Sequence, residues 1–321
     1  MCYTITGDRM SVEKLIWDFA GSRGLIAGVC GAEPLPSVNT NPGTPVVGAP
    51  FLRYEPHQRQ NPAKLLPGAK SIILIGAGYN RQLKYDRDDE PRGRFSLGAV
   101  GLDYHITLRR ALKDLETLMR QNGYVFDAHI SVDTGPLPEK ILAAKAALGW
   151  IGKHGLCISD AFGSFFNIGY MLTTLSLTPR PDPNKPGAYS TDRGLYCSQC
   201  NLCLHACPTG ALYYLDGKTH YDHTRCISFL TQKDGPLTPT ERRSMGTWLY
   251  GCDTCQNACP YNQNTHVGKI TSQDQVSPTI AHILSLTKQT FTATYKSTPI
   301  HWRGLEVLQR NAKIALENLK S

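Results

Sequence analysis

The chain has 321 residues, 41% of them hydrophobic, which supplies a sizeable core and excludes a disordered protein. Its 34 Lys and Arg against 26 Asp and Glu leave a formal charge of +8, a modest surplus that suits a polyanionic partner. No apolar run is long enough to span a bilayer, Met1 to Ser11 has no signal-peptide core, and a twin-arginine signal is absent. The expected location is therefore cytoplasmic, with no membrane contact. Structural disulfides are rare there, so 11 cysteines require metal or catalysis.

Reading from the amino end, Ser11 is placed to cap a helix whose Val12, Leu15, Ile16 and Phe19 share one face. Leu25 to Gly31 reads as a strand, and Pro34 to Pro50, rich in proline, glycine and asparagine, as a long surface loop. Lys70 to Gly78 is the clearest strand, a run of isoleucine and leucine ending in glycine. A charged loop, Arg81 to Arg94, leads to a helix predicted over Leu102 to Asn122. Leu108, Leu112, Leu115 and Met119 form its buried stripe, and Gly123 stops it. A strand from Tyr124 to Val132 runs into Asp133-Thr134-Gly135-Pro136, ordinary turn and capping chemistry, and then an alanine-rich helix around Glu139 to Leu148. Leu156 to Ser159 and Phe165 to Leu177 read as strands.

This alternation predicts an α+β chain whose amino-terminal domain is mixed α/β. Four prolines between Thr178 and Arg193 mark a linker. The expected division is residues 1–177 for the catalytic domain, 178–193 for the linker, 194–265 for a ferredoxin-like domain and 266–321 for a short helical tail. In the tail, Leu305, Leu308, Ala312, Ala315, Leu316 and Leu319 are spaced as one amphipathic face.

The cysteines are the most specific signal. Cys197-x2-Cys200-x2-Cys203-x3-Cys207-Pro208 has the spacing of bacterial ferredoxins, in which three thiolates wrap a 4Fe-4S cluster and the fourth reaches a second one. A second run, Cys252-x2-Cys255-x3-Cys259-Pro260, lacks its first ligand, whose place falls on Leu249. Cys226 is the natural substitute. The exchange of fourth ligands then predicts one cluster on Cys197, Cys200, Cys203 and Cys259, and another on Cys207, Cys226, Cys252 and Cys255. Zinc also favours paired cysteines, but it seldom uses three followed by a fourth and a proline. Of the remaining Cys2, Cys30 and Cys157, the last two read as small apolar core residues.

Two neighbouring clusters form an electron relay, and its acceptor is expected in the amino-terminal domain. The usual fingerprints fail there. Ile75-Gly76-Ala77-Gly78 follows a strand, but the third glycine position is Arg81, and neither a phosphate-binding loop nor a paired-histidine zinc motif is present.

The chain resembles the epoxyqueuosine reductase family, cobalamin-dependent iron–sulfur enzymes, over most of its length. The resemblance rests on Leu66-Pro67-Gly68-Ala69-Lys70-Ser71, Asp103-Tyr104-His105, Val132-Asp133-Thr134-Gly135-Pro136-Leu137 and Gly149-Trp150-Ile151-Gly152-Lys153-His154. Phe162-Gly163-Ser164, both cysteine runs, Cys226-Ile227-Ser228-Phe229-Leu230-Thr231 and Gly251-Cys252-Asp253-x-Cys255-Gln256 extend it. Two departures stand out. The carboxy terminus is similar to a single HEAT-like repeat where many relatives carry several, and Phe95-Ser96-Leu97-Gly98 replaces a more aromatic segment.

The resemblance implies reduction of epoxyqueuosine to queuosine at the wobble position of tRNA, using reduced cobalamin fed by the two clusters. It makes the first domain the cobalamin-binding one and Asp133 both a cofactor contact and the proton donor. A carboxylic acid beside an apolar macrocycle is expected to have a raised pKa and to stay protonated near neutrality. Lys153, His154, Cys157, Ser164 and Ser228 are the further candidates for cobalamin contacts, with Gly152, Gly155 and Gly163 allowing close backbone approach. His154 reads as a hydrogen-bonding residue before a cobalt ligand. Tyr104 and His105 read equally as core and cap residues or as substrate contacts.

Arg109, Arg110 and Lys113, then Arg242 and Arg243, then Arg303, Arg310 and Lys313 are the basic groups available to an anticodon stem. Each set alone reads as a solvated helix face. The other expected partner is an electron donor such as flavodoxin or ferredoxin, and the protein is expected to be a monomer. Two other readings fit the clusters: a non-catalytic ferredoxin-type carrier and a reductive-dehalogenase-like cobalamin enzyme. Bound cobalt separates the carrier from both enzymes, and tRNA binding separates the enzymes.

Overall fold

A few continuous apolar runs, covered on both faces, build the sheet on which the site stands. The computed structural model describes residues 10–35, 59–79, 89–179, 197, 199–263 and 272–320. Most of the Pro34–Pro50 and Arg81–Arg94 loops, most of the linker, and Cys2 lie outside the described residues. In chain order the first strands are β1 (Ile26–Gly31), β2 (Ser71–Gly78), the short β3 (Arg94–Phe95), β4 (Ala128–Val132), the short β5 (Trp150–Ile151) and β6 (Cys157–Ile158), and β7 (Phe166–Thr173). Four of them form one antiparallel sheet in the order β1-β2-β7-β4, with Cys30 opposite Ile72 and Ile73 opposite Met171.

Successive side chains of a strand point to opposite faces. Ala27, Val29, Ile73, Ile75, Val132 and Met171 therefore meet helices α1 (Val12–Ser22) and α2 (Tyr104–Gln121) on one side. Ile26, Cys30, Ile72, Leu74, Tyr170 and Leu172 meet α3 (Glu139–Lys145) on the other. The predicted stripe of α2, Leu108, Leu112, Leu115 and Met119, is buried as expected. Each such side chain is worth about 1.5–3 kcal/mol in apolar burial.

Local chemistry sets the element ends. Ser11 Oγ accepts the Lys14 N–H (3.2 Å), capping α1. Helix α2 begins two residues later than predicted because Asp103 takes the capping position and accepts the His105 N–H (2.9 Å). The alanine-rich helix ends at Lys145 and not Leu148, since Ala147 adopts the left-handed conformation (φ 57°) and turns Leu148 back into the core. The strand expected from Tyr124 starts only at Ala128, and the strand expected over Leu156–Ser159 shrinks to β6, paired with β5.

The cysteine segment is fastened to this domain. Strand β10 (Trp248–Tyr250) runs parallel to β3, and β8 (Leu212–Leu215) with β9 (Lys218–Tyr221) makes a separate hairpin. Asp253, 2% exposed, accepts from Ser96 Oγ (2.6 Å) and the Leu97 N–H (2.7 Å). Those two residues belong to the segment that departs from the family pattern.

The carboxy-terminal helices differ from an appended tail. Ile280–Ser285, Lys288–Tyr295 and Gly304–Asn318 share one core with Phe95, Ala99, Leu249 and Tyr250. The predicted apolar face packs on that core through Leu305, Leu308, Ala312, Ala315 and Leu316, but Leu319 is 50% exposed, and Ile314 is buried on another side against Leu230, Leu237 and Met245. The helix is covered on two sides, so one stripe understates its burial. Among the described residues no helix is long and apolar enough to cross a membrane.

Candidate active site

The turn after β4 holds Asp133 in a left-handed backbone conformation (φ 57°), uncommon for a residue with a Cβ. Its side chain is 61% exposed, yet two residues from the first turn of α2 reach it. Tyr104 Oη donates to Asp133 Oδ2 (3.0 Å), and His105 Nε2 lies 3.4 Å from the same oxygen. The other ring nitrogen of His105, Nδ1, is 2.8 Å from Asp103 Oδ1, and the Tyr104 ring stacks on the imidazole with centroids 4.2 Å apart.

A histidine flanked by carboxylates at both nitrogens favours its doubly protonated form. His105 is accordingly raised from its ordinary pKa, first by Asp133 and also by Asp103, against some burial. Asp133 moves the opposite way. The His105 bond, the Tyr104 hydroxyl and the His105 charge hold it below the usual carboxylate range. These two donors favour its ionised form. The proton of the pair rests on His105.

Two further charged groups stand behind Asp133. Glu139, at the start of α3, is pushed up to about 7 by burial and by the Asp133 charge, while bonds from the Asp133 and Glu139 backbones oppose the rise. Its Oε1 is buried without a partner. Lys140, next on the helix, is exposed, and the charges of Glu139 and Asp133 act on it. His154 responds to Lys140 in turn. Burial, then the lysine charge, lowers it to about 4, so it is neutral. His154 Nδ1 accepts the Leu156 N–H (3.1 Å), which leaves the proton on Nε2, a buried atom without a partner.

His154 also walls a cavity of about 430 Å³, shared by Lys153, Ile158, Cys197, Cys200, Cys203 and Cys259. The Lys153 N–H donates to Cys197 Sγ (3.4 Å). Cys203 is pushed up to about 11 by burial and then by Cys197, Cys259 and Cys200, an independent sign that these four thiols are neighbours. A second group gathers beside it. Burial, then Cys252 and Cys226, raises Cys255, while Tyr221 bonds Cys226 and sits near Cys255 and Cys207. The first group brings together Cys197, Cys200, Cys203 and Cys259, the second places Cys207, Cys226, Cys252 and Cys255 near one another, and all eight are free thiols.

Comparison with known proteins decides the family. Residues 196–262 match the model described as 4Fe-4S double cluster binding domain, and residues 59–134 match that of epoxyqueuosine reductase QueG, DUF1730. Epoxyqueuosine reductase of Bacillus cereus is 37% identical over 277 residues, covering 84% of this chain and 70% of the relative. The crystal structure of an epoxyqueuosine reductase with an epoxyqueuosine-modified tRNA-Tyr stem loop superposes with a TM-score of 0.83 at 30% identity, over 97% of this chain and 83% of that one. A Bacillus subtilis epoxyqueuosine reductase, described with its catalytic aspartate loop swung out of the active site, gives 0.81 at 28% identity over 97% and 83%. The chain belongs to the epoxyqueuosine reductase family.

Within this reductase the residues expected at the cobalamin are distributed unevenly. Lys153 and His154 face the first thiol group, with Lys153 Nζ bonded to Asn201 Oδ1 (2.8 Å). Cys157 is 3% exposed in the sheet core and pushed up to about 12 by burial, the apolar role also read for it. Cys30 shares that core. Ser164 is buried on the seam with the cluster segment, donating to Gln256 Oε1 (3.0 Å) and accepting from Asn262 Nδ2 (2.9 Å). Gly163 beside it (φ 58°) has no room for a side chain, since a Cβ would lie 2.0 Å from Asn262 Oδ1. Ser228, half-buried, gives its carbonyl to Thr231 and Gln232.

The basic residues of the reductase are not all solvated faces. Arg109 donates to Thr134 Oγ1 (3.1 Å), next to Asp133. Arg242 pairs with Glu317 and Arg303 with Asp234, while Arg310 donates to the carbonyls of Lys233 (2.6 Å) and Gly235 (2.7 Å). These three fasten the last helix to the cluster segment. Arg110, Lys113, Arg243 and Lys313 stay exposed. Sequence reasoning left Tyr104 and His105 undecided and passed over Glu139 and Lys140. Three consecutive polar residues opening a helix, Asp103-Tyr104-His105, were the available signal.

Proposed function

We propose that the protein reduces epoxyqueuosine to queuosine at the wobble position of tRNA, removing one oxygen as water with two electrons and two protons. The observation that carries this reading is the Asp103–His105–Asp133 array, with Tyr104 on the same carboxylate, in a chain that also holds the four-thiol cavity. It joins a poised proton to an electron relay. His105 holds the proton, Asp133 hands it to the departing oxygen, and Tyr104 fixes the carboxylate between them. A carboxylate that returns to its ionised state after each transfer is reloaded from His105.

The first cluster would be held by Cys197, Cys200, Cys203 and Cys259 and the second by Cys207, Cys226, Cys252 and Cys255, within a domain of residues 194–265 behind a catalytic domain of residues 1–177. Cobalamin fits the polar atoms left over at their junction. His154 Nε2, Trp150 Nε1 and Glu139 Oε1 are buried without partners, and the amide fringe of a corrin offers both donors and acceptors. When bound, it supplies a nucleophilic cobalt that accepts electrons singly. Lys153 and His154 would hold it on the cluster side and Asp133 on the substrate side, with Cys157, Ser164 and Ser228 shaping the wall behind. The RNA partner is an anticodon stem loop, and the electrons come from a flavodoxin or ferredoxin.

The test is anaerobic purification after supplying cobalamin, with iron and cobalt measured per chain and turnover followed on an epoxyqueuosine-modified stem loop. About eight irons, near-stoichiometric cobalt and conversion to queuosine are expected. The same iron without cobalt would sink the corrinoid mechanism and leave a ferredoxin-type carrier.

A further inference from the structure

The chain has four tryptophans. Trp17 and Trp248 are 4% and 8% exposed and Trp150 is half-buried, but Trp302 is 51% exposed. An indole left in water forfeits most of the burial energy for which tryptophan is otherwise used. This one is nevertheless held firmly. Its Nε1 donates to Gln232 Oε1 (3.3 Å), and the Arg303 guanidinium lies 4.6 Å from the ring centroid. Arg303 is itself anchored on Asp234, and the turn Pro299–Arg303 is tied down by Tyr250 Oη donating to the Pro299 carbonyl (3.1 Å).

The anchored ring stands beside the reaction site. Tyr250 fastens the turn that carries Trp302 and lies near enough to Asp103 and Asp133 to sense their charges. The Asp103 N–H donates to the Ser297 carbonyl (2.7 Å), joining the start of α2 to the same turn. Leu102 and Ile106, on either side of this junction, are 57% and 51% exposed, and Lys296 next to Ser297 is exposed. The rim of the Asp133 site thus presents a rigid aromatic plate, two aliphatic side chains and a cation. A nucleobase with its phosphate needs these groups when it is unstacked from a loop.

We propose that Trp302 is a stacking platform for an unpaired base of the anticodon loop, next to the nucleotide delivered to Asp133. This rests on the tRNA reading above and goes further by assigning the contact. Flipping the wobble nucleotide into the protein breaks its stacking with its neighbours. An indole already immobilised replaces that stack at little cost in side-chain order. The contact is indifferent to base identity, since every base has a π-face.

The test uses the anaerobically prepared holoprotein labelled with 5-fluorotryptophan, and the tRNA-Tyr anticodon stem loop as probe. The fluorine resonance missing from W302F identifies Trp302. It is expected to shift when the stem loop is added, and to stay in place with a stem loop whose loop bases are abasic. Trp302→Leu should weaken stem-loop binding by roughly 5- to 150-fold, the range for losing one base–aromatic stack. W302F, which keeps a ring, should lose less than about 5-fold on the same scale. In both variants kcat at saturating RNA and the iron content should match the parent, so that the effect sits in KM.

A stem loop that binds the parent without moving the Trp302 resonance overturns the platform and leaves the tRNA reading intact. Unchanged affinity in Trp302→Leu does the same. A parent that binds no stem loop at all overturns the tRNA reading, and the platform with it. The resonance shift is read on the parent protein, so a variant that folds poorly does not decide the outcome.

Discussion

His105 lies between the carboxylates of Asp103 and Asp133, and its titration is tied to both catalysis and folding. Asp133→Asn removes both the proton acceptor and the stronger partner of His105. It should cost about 10²- to 10⁴-fold in kcat, the usual worth of a positioned acid–base group, with iron and cobalt content unchanged. In that variant the His105 midpoint, followed by NMR, should fall toward its ordinary 6.5. The folded pKa of His105 is raised, so the stability it contributes is complete below 6.5 and is lost as pH rises through the raised value. Glu139 adds to this trend from lower pH. Its folded pKa is raised from 4.5 to about 7, so the fold favours the neutral acid and is penalised progressively as pH climbs between those values. Glu139→Gln should therefore gain stability relative to the parent at pH 8, on the order of 2 kcal/mol, and little at pH 4, as read by denaturation of the holoprotein. Asp133 was legible as a turn residue because its four-residue motif is contiguous. Its partners were not, since Tyr104 and His105 reach it only through the packing of α2 against β4.

At the scale of elements, the last helix does more than fill a core. Asn311, 1% exposed, donates from Nδ2 to the carbonyls of Thr231 (2.7 Å) and Leu249 (2.8 Å). Gln309 serves the carbonyls of Leu284 (3.1 Å) and Leu286 (3.0 Å), and Asn318 those of Arg242 and Gly246 (both 2.9 Å). A polar side chain buried between two strands of chain is worth little net while paired, but its loss strands both acceptors. Asn311→Leu should destabilise the protein by roughly 2–4 kcal/mol, measured by anaerobic denaturation, and should raise the rate of cluster loss. The helices themselves were readable, as the α2 stripe and the Ser11 cap show. The ends that failed, Lys145 and Ala128, are set by one left-handed alanine and by where β7 offers a pairing edge. Neither leaves a mark in hydrophobic periodicity.

Over the whole molecule, the thiol groups are interleaved along the chain. Cys259, the last cysteine, joins the first three, while Cys207 joins the later set. Cys259→Ala and Cys226→Ala should each drop the iron content from about eight to about four per chain. They should abolish different components of the reduced electron paramagnetic resonance spectrum. If both variants lost the same component, the assignment of ligands to clusters would be wrong. That these thiols are neighbours was legible because the ferredoxin spacing is local in sequence. The seam that presses the cluster segment against the catalytic domain was not. Asp253 and Gln256 stood out only as part of the family motif around the second cysteine run and Asn262 not at all, and only their buried bonds to Ser96, Leu97 and Ser164 reveal the contact.

The placement of the last helix also bears on how the second thiol group is kept. Asn311 closes the carbonyls of Thr231 and Leu249, on the chain that runs from Cys226 to Cys252, so this stretch is held near both ends by a helix that carries no cysteine. Loosening residues 304–318 would free those loops while every thiol stays in the sequence.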